Sequence, residues 1–580
     1  MGLKEEVLKY FPAPQFRKYQ KEVIEKMAEL FESDVKCIFL EAPTGFGKSY
    51  VNATFCAYWR SFYATPQLSL IDQMRNDYFL QGYFVEIKGR EEYQCALDPT
   101  TSVKYGLCRK MPTVNCDRFK QCPYWVQKLK ALEAKSVLMS FSYLILEGKT
   151  RTKYSFGART LLVLDESHNI AESVVDKCTI KVTPYALPRN FYEQIRRYIP
   201  DEFKDIDDAR DFIEYVLANA EEYMYDKQLD LEGKVVMTDR QLVEKDLLEE
   251  FQWVASKFVE DKSNMWVADI RWITGRDGKK YKCVFVQPLL AKDFMCDLVW
   301  WRAKYYIVSS ATILDPTTFA DEIGLTEFLK PDEIKHIKVP STFPPENRPI
   351  INASVGKFTK ENWDALLPAV ARKIVEILER EKGNVAIHCH SYELQQKLLQ
   401  VLRPLVGDRL IWHDEENREE KLKEWLNSKG KVFLCVGFEE GQDWYGEKCE
   451  AQILVKVPYP DIKDKRVAKR LEMKHWKWFK MVALRKLIQA YGRAVRSEND
   501  KARFYIIDGS VENLLTYMWK FVPKWFADAL PFEWNRDKVK LYEEVKKIAR
   551  KKYLTFKDIE TLKKAREVFG LDVSKQDVVL

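Results

Sequence analysis

A glycine-rich segment near the start of the chain carries residue types suited to phosphate chemistry. Residues 41–49 read Glu-Ala-Pro-Thr-Gly-Phe-Gly-Lys-Ser, directly after the apolar run 35–40 and before an apolar helical pattern. Such a turn between strand and helix points backbone N–H groups at phosphates, while Lys48 reaches the β- and γ-phosphates and Ser49 binds Mg²⁺. Ala42 replaces the first glycine of the general pattern. We predict a nucleoside triphosphate site contacted by Thr44, Gly45, Gly47, Lys48 and Ser49.

Two adjacent carboxylates, Asp165 and Glu166, follow the apolar run 161–164. Open α/β sheets bind their ligands at the carboxyl ends of the strands, where this pair would lie. Asp165 is suited to holding Mg²⁺ and Glu166 to polarising the attacking water, the two tasks that phosphoryl transfer to water requires. An Asp-Glu pair alone is typical of a solvated strand end, but together with a phosphate loop it favours nucleotide hydrolysis.

A late segment, 489–496, reads Gln-Ala-Tyr-Gly-Arg-Ala-Val-Arg. Arg493 and Arg496 are three residues apart, so they lie on one helical face and could reach a γ-phosphate from across a cleft. An ordinary basic helix face would explain the two arginines alone. Gln489 and Gly492, at their spacing, favour the nucleotide contact, and we predict catalytic roles for Gln489, Arg493 and Arg496.

Four of the twelve cysteines cluster, at Cys95, Cys108, Cys116 and Cys122, and Pro123 follows the last. Four thiols so close together indicate a metal site in a reducing compartment. Zinc sites usually contain tight C-x2-C pairs, which are absent here, so the uneven spacing and the Cys-Pro ending favour an iron–sulfur cluster. Zinc and four unligated thiols remain the alternatives. The remaining cysteines are interpreted as small core residues: Cys37, Cys56, Cys178, Cys283, Cys296, Cys389, Cys435 and Cys449.

The elements that must position these residues are short, continuously apolar strands separated by helical patterns, as in parallel sheets buried on both faces. The fold class is therefore α/β, and the proline-rich stretch 340–349 is the best candidate for a hinge between two halves. The predicted strands are 35–40, 161–164, 305–308, 385–387, 432–436, 453–457 and 504–507.

Charge is distributed unevenly along the 580 residues, whose formal net charge is +7. Residues 171–300 contain 19 Lys and Arg against 26 Asp and Glu, and their i, i+3, i+4 apolar spacing predicts a mostly helical insertion with a turn near 274–280. Residues 88–135 and 536–580 each carry +5. These basic segments are compatible with an anionic partner such as nucleic acid, although solvated basic faces are common. The composition excludes disordered and collagen-like classes.

The motifs resemble those of superfamily 2 helicases. The phosphate loop, 165–168, 309–312, 437–443 and 489–496 are similar, in that order, to motifs I, II, III, V and VI. Four cysteines between motifs I and II, and a second motif ending in His168, resemble the XPD-type iron–sulfur helicases, which include bacterial DinG relatives. The third residue of motif II is Ser rather than the usual Ala.

The resemblance implies two RecA-like motor domains, a 4Fe-4S cluster held by the four cysteines and a helical Arch-like insertion. It implies ATP-dependent, 5′ to 3′ translocation on single-stranded DNA, with strand separation at forks. Arg17 and Gln20 would contact the adenine, Asp443 would contribute to the nucleotide site, and Thr65, Gln73 and 391–392 would lie on the nucleic-acid side. The implied division is motor domain 1 (1–87, 136–175, 299–345), cluster domain (88–135), Arch-like domain (176–298) and motor domain 2 with a basic tail (346–580).

Two other functions remain open: a DNA-binding subunit without enzymatic activity, and an ATP-driven translocase or remodeller, on DNA or RNA, that does not separate strands. Intact motor residues speak against the first. The sequence shows neither an apolar run that would span a membrane nor a secretory signal, so we expect a cytoplasmic, nucleoid-associated protein. We further expect a monomer, with repair or replication proteins as possible partners.

Overall fold

The structure is a computed structural model. It describes residues 2–110, 121–149, 154–227, 229, 237–275, 277–438, 444, 446–495, 497–531, 536–549, 551 and 554–569.

The strands of the described residues are β1 Cys37–Glu41, β2 Ser61–Thr65, β3 Val85–Glu86, β4 Ser136–Ser140, β5 Arg159–Leu164, β6 Ile180–Val182, β7 Trp266–Thr274, β8 Lys280–Pro288, β9 Ala303–Ser310, β10 Ile334–Lys338, β11 Ile350–Gly356, β12 Val385–His388, β13 Leu410–Trp412, β14 Val432–Cys435, β15 Ala451–Leu454 and β16 Arg503–Asp508.

The α-helices are α1 Leu3–Leu8, α2 Gln20–Glu32, α3 Lys48–Tyr58, α4 Leu68–Asn76, α5 Leu107–Lys110, α6 Pro123–Glu133, α7 Phe141–Lys149, α8 Ile170–Lys177, α9 Arg189–Ile195, α10 Ile206–Asp226, α11 Asp239–Glu260, α12 Lys292–Leu298, α13 Pro316–Glu322, α14 Leu325–Phe328, α15 Trp363–Arg380, α16 Tyr392–Val406, α17 Arg418–Leu426, α18 Lys465–Glu472, α19 Trp476–Tyr491, α20 Val511–Met518, α21 Lys524–Ala527, α22 Arg536–Ala549 and α23 Phe556–Phe569.

Two parallel sheets organise the chain. The first has the strand order β10-β1-β9-β5-β2-β4-β3 and the second the order β11-β16-β15-β12-β14-β13. All seven apolar runs predicted as strands lie in these sheets, so the α/β class is confirmed. Helices cover both faces, which is why β1, β12 and β14 are buried at every residue.

The acidic insertion is only partly helical. The two long helices predicted there, α10 and α11, are present, and α11 begins with a capping box between Thr238 and Gln241. The helical prediction is wrong at β6, β7 and β8, which form an antiparallel sheet in the order β6-β8-β7, whereas the shorter helices α9 and α12 also lie in the insertion. Burial along β8 largely alternates, as in a strand with one buried face. The predicted turn at 274–280 joins β7 and β8.

The second half of the chain is tied to the first through α18. Arg466 forms two hydrogen bonds with the Glu172 carboxylate of α8, at 3.0 and 2.8 Å, and donates a third to the backbone carbonyl of Leu289 at 3.1 Å. At the end of the proline-rich stretch, Arg348 is buried and donates to the Tyr491 hydroxyl at 2.9 Å. The basic tail contains the helices α22 and α23. No helix in the described ranges has the length and apolar character needed to span a bilayer.

Candidate nucleotide site

A cavity of about 390 Å³ lies between the carboxyl ends of the first sheet and helix α19 of the second half. This is where open α/β sheets bind ligands. The structure brings together most of the residues predicted from the three motifs. Those that line the cavity are Arg17, Thr44, Gly45, Gly47, Lys48, Ser49, Asp165, Glu166, Gln489 and Arg493.

The phosphate loop joins β1 to α3 and depends on two glycines. Gly45 and Gly47 have φ angles of 81° and 84°, in the left-handed region that other residues rarely adopt. A Cβ atom on Gly47 would also lie 2.6 Å from the Gln20 amide nitrogen. Lys48 starts α3 and is buried, with Nζ donating to the carbonyl of Ala42 at 3.2 Å. The loop is therefore already shaped to receive phosphates, with its lysine at the cavity wall.

Arg17 and Gln20 hold this loop from behind. Arg17 donates to the carbonyl of Gly45 at 2.9 Å, and the Gln20 amide donates to the carbonyl of Phe46 at 2.9 Å. The side-chain oxygen of Gln20 accepts the backbone N–H of Arg17 at 2.8 Å. In this structure both side chains position the phosphate loop, and their contact with adenine stays a prediction.

Asp165 is nearly buried at the end of β5, and two donors orient its carboxylate. Oδ2 accepts a hydrogen bond from the Tyr63 hydroxyl at 2.7 Å and Oδ1 accepts the backbone N–H of Glu166 at 3.1 Å. Burial, followed by the charge of Glu166, raises the pKa of Asp165, whereas Lys48 and Tyr63 act in the opposite direction. A cation beside Asp165 would stabilise its charged form.

Glu166 is held in the left-handed region, with φ 47°. This conformation is costly for a residue with a Cβ and is common at functional sites. Its carboxylate lies 3.8 Å from Lys48 Nζ and 3.5 Å from His168 Nδ1. Glu166 thus lines the cavity between the phosphate-loop lysine and motif II histidine, where a general base for water is needed.

His168 connects three motifs across the cleft. Its Nδ1 lies 2.9 Å from the Ser310 hydroxyl, and its Nε2 lies 2.6 Å from the amide nitrogen of Gln489. The same amide donates to the Thr312 hydroxyl at 3.2 Å. The Thr44 hydroxyl donates to the carbonyl of Gly492 at 3.3 Å, a second link between the halves. Movement of α19 would therefore be felt at motifs II and III.

The structure describes one of the two arginines predicted to contact the γ-phosphate. Arg493 is 5% exposed and lines the cavity from the second half. Arg496, like Asp443 of the motif V segment, lies outside the described residues.

Three of the residues in or beside the cleft that were not predicted as site residues make contacts that bear on the site. Tyr63 is a buried strand residue, and nothing in its sequence context distinguishes it from a core aromatic. Arg485 of α19 donates to the carbonyl of Thr312 at 3.3 Å; no helical spacing to Arg493 could have identified it, because α19 ends at Tyr491. Trp525 lines the cavity and stacks on Tyr491 with ring centroids 5.7 Å apart.

Three of the four clustered cysteines, Cys95, Cys108 and Cys122, line one small cavity together with apolar neighbours. Cys122 is the N-cap residue of α6. A Cβ on Gly106 would lie 3.3 Å from Cys95 Sγ. Cys116 lies outside the described residues. Within the described part of the chain, no three or more His, Cys, Asp or Glu side chains are grouped as ligands of a single ion.

The basic segment 88–135, which contains the four clustered cysteines and is called the cluster segment, contacts the acidic insertion 171–300. Arg109 forms an ion pair with Asp246 of α11, and Lys110 forms one with Asp239. The backbone N–H of Met237 donates to the carbonyl of Lys110 at 2.9 Å. The charge asymmetry along the sequence thus corresponds to a contact between the two insertions.

Comparison with known proteins agrees with this arrangement. A family model described as "Helicase C-terminal domain" matches residues 374–529, and one described as "Type III restriction enzyme, res subunit" matches 13–204. An ATP-dependent DNA helicase DinG from Photobacterium profundum is 26% identical over 287 residues, covering 46% of this chain. The chain spans only 40% of that relative's length.

Solved structures share the fold over most of the chain. An XPD helicase superposes with a TM-score of 0.60 at 15% identity, covering 88% of this chain and 98% of its own. S. tokodaii Xpd4 superposes with a TM-score of 0.54 at 15% identity, covering 87% and 98%. The two sheets are therefore two RecA-like domains. In its motif order, its sequence similarity to DinG and its fold, the chain is similar to the XPD/DinG-type helicases of superfamily 2.

Proposed function

We propose that this protein is an ATP-dependent DNA helicase that translocates on single-stranded DNA and separates duplexes. The observation that carries the proposal is the single cavity in which the phosphate loop and Asp165–Glu166 of one RecA-like domain face Gln489 and Arg493 of the other. A nucleotide bound there contacts both domains, so its hydrolysis can change their relative position.

The hydrolysis step follows from the cavity residues. Backbone N–H groups of the loop and Lys48 bind the phosphates. Ser49 and Asp165 would hold Mg²⁺, which supplies charge neutralisation on the phosphate oxygens when bound. Glu166 accepts a proton from the attacking water, and Arg493 stabilises the charge that develops on the γ-phosphate.

The cross-cleft contacts couple hydrolysis to movement. His168 lies beside Glu166 and is within 2.6 Å of Gln489, so loss of the γ-phosphate near Glu166 alters a contact of α19. Thr312 and Arg485 extend this contact to the segment after β9. Repeated closure and opening would then advance the two domains along a single strand.

The proposal includes a 4Fe-4S cluster bound by the cysteines of the cluster segment. Each thiolate of such a cluster binds a different iron, so its ligands surround a cavity and do not converge on one point. The shared cavity of Cys95, Cys108 and Cys122 fits that requirement, and Cys116 would be the fourth ligand. The bound cluster would fix the fold of the segment and the position of its basic and aromatic surface.

The finer features of the proposal rest on the resemblance to XPD and DinG. They are 5′ to 3′ polarity, activity on forked DNA, monomeric action, association with the nucleoid and partners in DNA repair or replication. The net charge of +7 supports binding to a polyanion, with the acidic insertion reducing the total.

Strand separation on matched substrates tests the proposal. Purified protein is given ATP or a non-hydrolysable analogue with a 5′-tailed DNA, a 3′-tailed DNA or an RNA–DNA hybrid. We expect ATP-dependent separation of the 5′-tailed DNA, lost in Lys48→Ala and retained in Lys26→Ala, an exposed lysine of α2. DNA-stimulated hydrolysis without separation of any substrate would instead identify a translocase or remodeller.

A further inference from the structure

A buried tyrosine holds the carboxylate of Asp165 from behind. Tyr63 lies on β2, fully buried and aligned with Val163 of β5, two residues before the aspartate. Its hydroxyl donates to Oδ2 at 2.7 Å, while the backbone N–H of Glu166 donates to Oδ1 at 3.1 Å. Each carboxylate oxygen therefore has one protein donor and keeps acceptor capacity for another ligand. Two donors from different elements fix the plane of the carboxylate.

The surroundings of Tyr63 keep its hydroxyl in place. The ring contacts Phe84 edge to face, with centroids 5.3 Å apart. Burial, followed by Asp165, raises the pKa of this phenol well above the ordinary value, whereas Asn52 and Ser49 of α3 act in the opposite direction. With its oxygen 2.7 Å from Oδ2 of Asp165, the Tyr63 hydroxyl is the donor in this hydrogen bond.

We propose that Tyr63 is a positioning residue for metal binding, which orients Asp165 so that its carboxylate and the Ser49 hydroxyl can bind one Mg²⁺ ion. This inference rests on the proposed function, because it requires a Mg²⁺–nucleotide in the cavity. Hydrogen bonds to ligating carboxylates commonly change metal affinity or activity by about 10- to 100-fold when removed. The geometry places Tyr63 in that role on β2, outside the two motifs that supply the ligands Ser49 and Asp165.

The test removes only the hydroxyl. Tyr63→Phe keeps the ring, and its matched control is Tyr306→Phe, a buried tyrosine of β9 in the same sheet whose hydroxyl donates to backbone carbonyls outside the cavity. Binding of Mn²⁺ is measured by electron paramagnetic resonance with a non-hydrolysable ATP analogue present. We expect about tenfold weaker Mn²⁺ affinity in Tyr63→Phe, wild-type affinity in Tyr306→Phe, and unchanged binding of the metal-free nucleotide.

Repeating the measurement in the Asp165→Asn variant keeps the test decisive if Tyr63→Phe or Tyr306→Phe is less stable than wild type. Asp165→Asn removes the group that Tyr63 orients, so adding Tyr63→Phe to it should leave the residual Mn²⁺ affinity unchanged. Equal Mn²⁺ affinities in folded Tyr63→Phe and Tyr306→Phe would overturn the inference while leaving the proposed function intact. Wild-type protein that binds no Mn²⁺–nucleotide would overturn the proposed function, and the inference with it.

Discussion

The nucleotide cleft and the cluster segment are organised in different ways. In the cleft, the described site residues lie in or next to elements of the two parallel sheets: the phosphate loop between β1 and α3, Asp165 and Glu166 after β5, and Gln489 and Arg493 at the end of α19. The cluster segment has a four-residue helix, α5, and short turns before α6, and its three described thiols face a cavity lined by few groups. Sheet topology orders the first region; the second requires a ligand to complete it.

This difference has a consequence for substitutions. A change of one catalytic group in the cleft should affect chemistry and leave the fold unaltered, because the positions are set by strands and hydrogen bonds elsewhere. A change of one cysteine should affect local structure first and strand separation through it.

Glu166→Gln should have the largest effect. Removing the base that accepts the water proton should lower kcat for ATP hydrolysis by about 10²- to 10⁴-fold, while nucleotide binding and the thermal midpoint stay near wild type. Steady-state hydrolysis and binding of a fluorescent nucleotide measure the two. The control is Asp176→Asn, an exposed carboxylate of α8 that pairs with Lys181. Undiminished turnover in Glu166→Gln would remove Glu166 from this role.

Cys108→Ser should separate chemistry from strand separation. Loss of one ligand should abolish the visible absorption of an iron–sulfur cluster and reduce duplex unwinding by about tenfold or more. Hydrolysis without DNA should change much less, since the cleft does not depend on the cluster. Hydrogen exchange should rise in the segment around Cys95 and Cys122. The matched variant Cys296→Ser, at a partly buried cysteine outside the segment, should behave as wild type.

Metal analysis of the purified protein can contradict the proposed iron–sulfur cluster. Colourless protein purified without oxygen that contains stoichiometric zinc would contradict the cluster, and so would wild-type unwinding by Cys108→Ser.

The contact between His168 and Gln489 should show coupling across the cleft. We expect His168→Ala and Gln489→Ala each to lower DNA-stimulated hydrolysis, and the double variant to lose about 1–2 kcal/mol less transition-state stabilisation than the sum of the two. The comparison pair is His168→Ala with Gln395→Ala, a buried glutamine that donates to the carbonyl of Leu434 within the second domain. That pair should be additive, and additivity in both pairs would exclude the coupling.

The sequence predicted β1, β5 and β9 of the first parallel sheet and β12, β14, β15 and β16 of the second, but it missed the interior strands β2 and β4 as well as the edge strands β3, β10, β11 and β13. Runs such as 161–164 and 385–387 are continuously apolar because both faces of their strands are covered. Strands β10 and β13 were missed, since edge strands alternate polar and apolar residues or are very short. The hairpin of β7 and β8 was missed because the helical period of α10 and α11 was extended through the whole acidic insertion.

For the site, the sequence revealed the groups that act through local spacing. Lys48, Asp165 and Gln489 stand in short patterns whose geometry follows from a strand-to-helix turn or a helix end. Tyr63 could not be found in this way, because its role arises from the register of β2 beside β5, which no local pattern encodes. The hydrogen bond from the Gln20 amide to the carbonyl of Phe46 in the phosphate loop likewise joins residues 26 positions apart in the sequence.

The ion pairs between the two insertions should have the smallest effect and test how far the cluster segment depends on its neighbour. Asp246→Ala should remove the partner of Arg109 and raise hydrogen exchange in α5, with a free-energy change of about 0.5–1 kcal/mol at low salt. At about 1 M salt, where screening extends over about 3 Å, the effect should largely disappear. The control is Glu249→Ala. Glu249 pairs with Lys245 within α11, and among the described residues it forms no ion pair with the cluster segment. Equal exchange in α5 for the two variants would contradict a specific contribution of the Arg109–Asp246 ion pair to the order of the cluster segment.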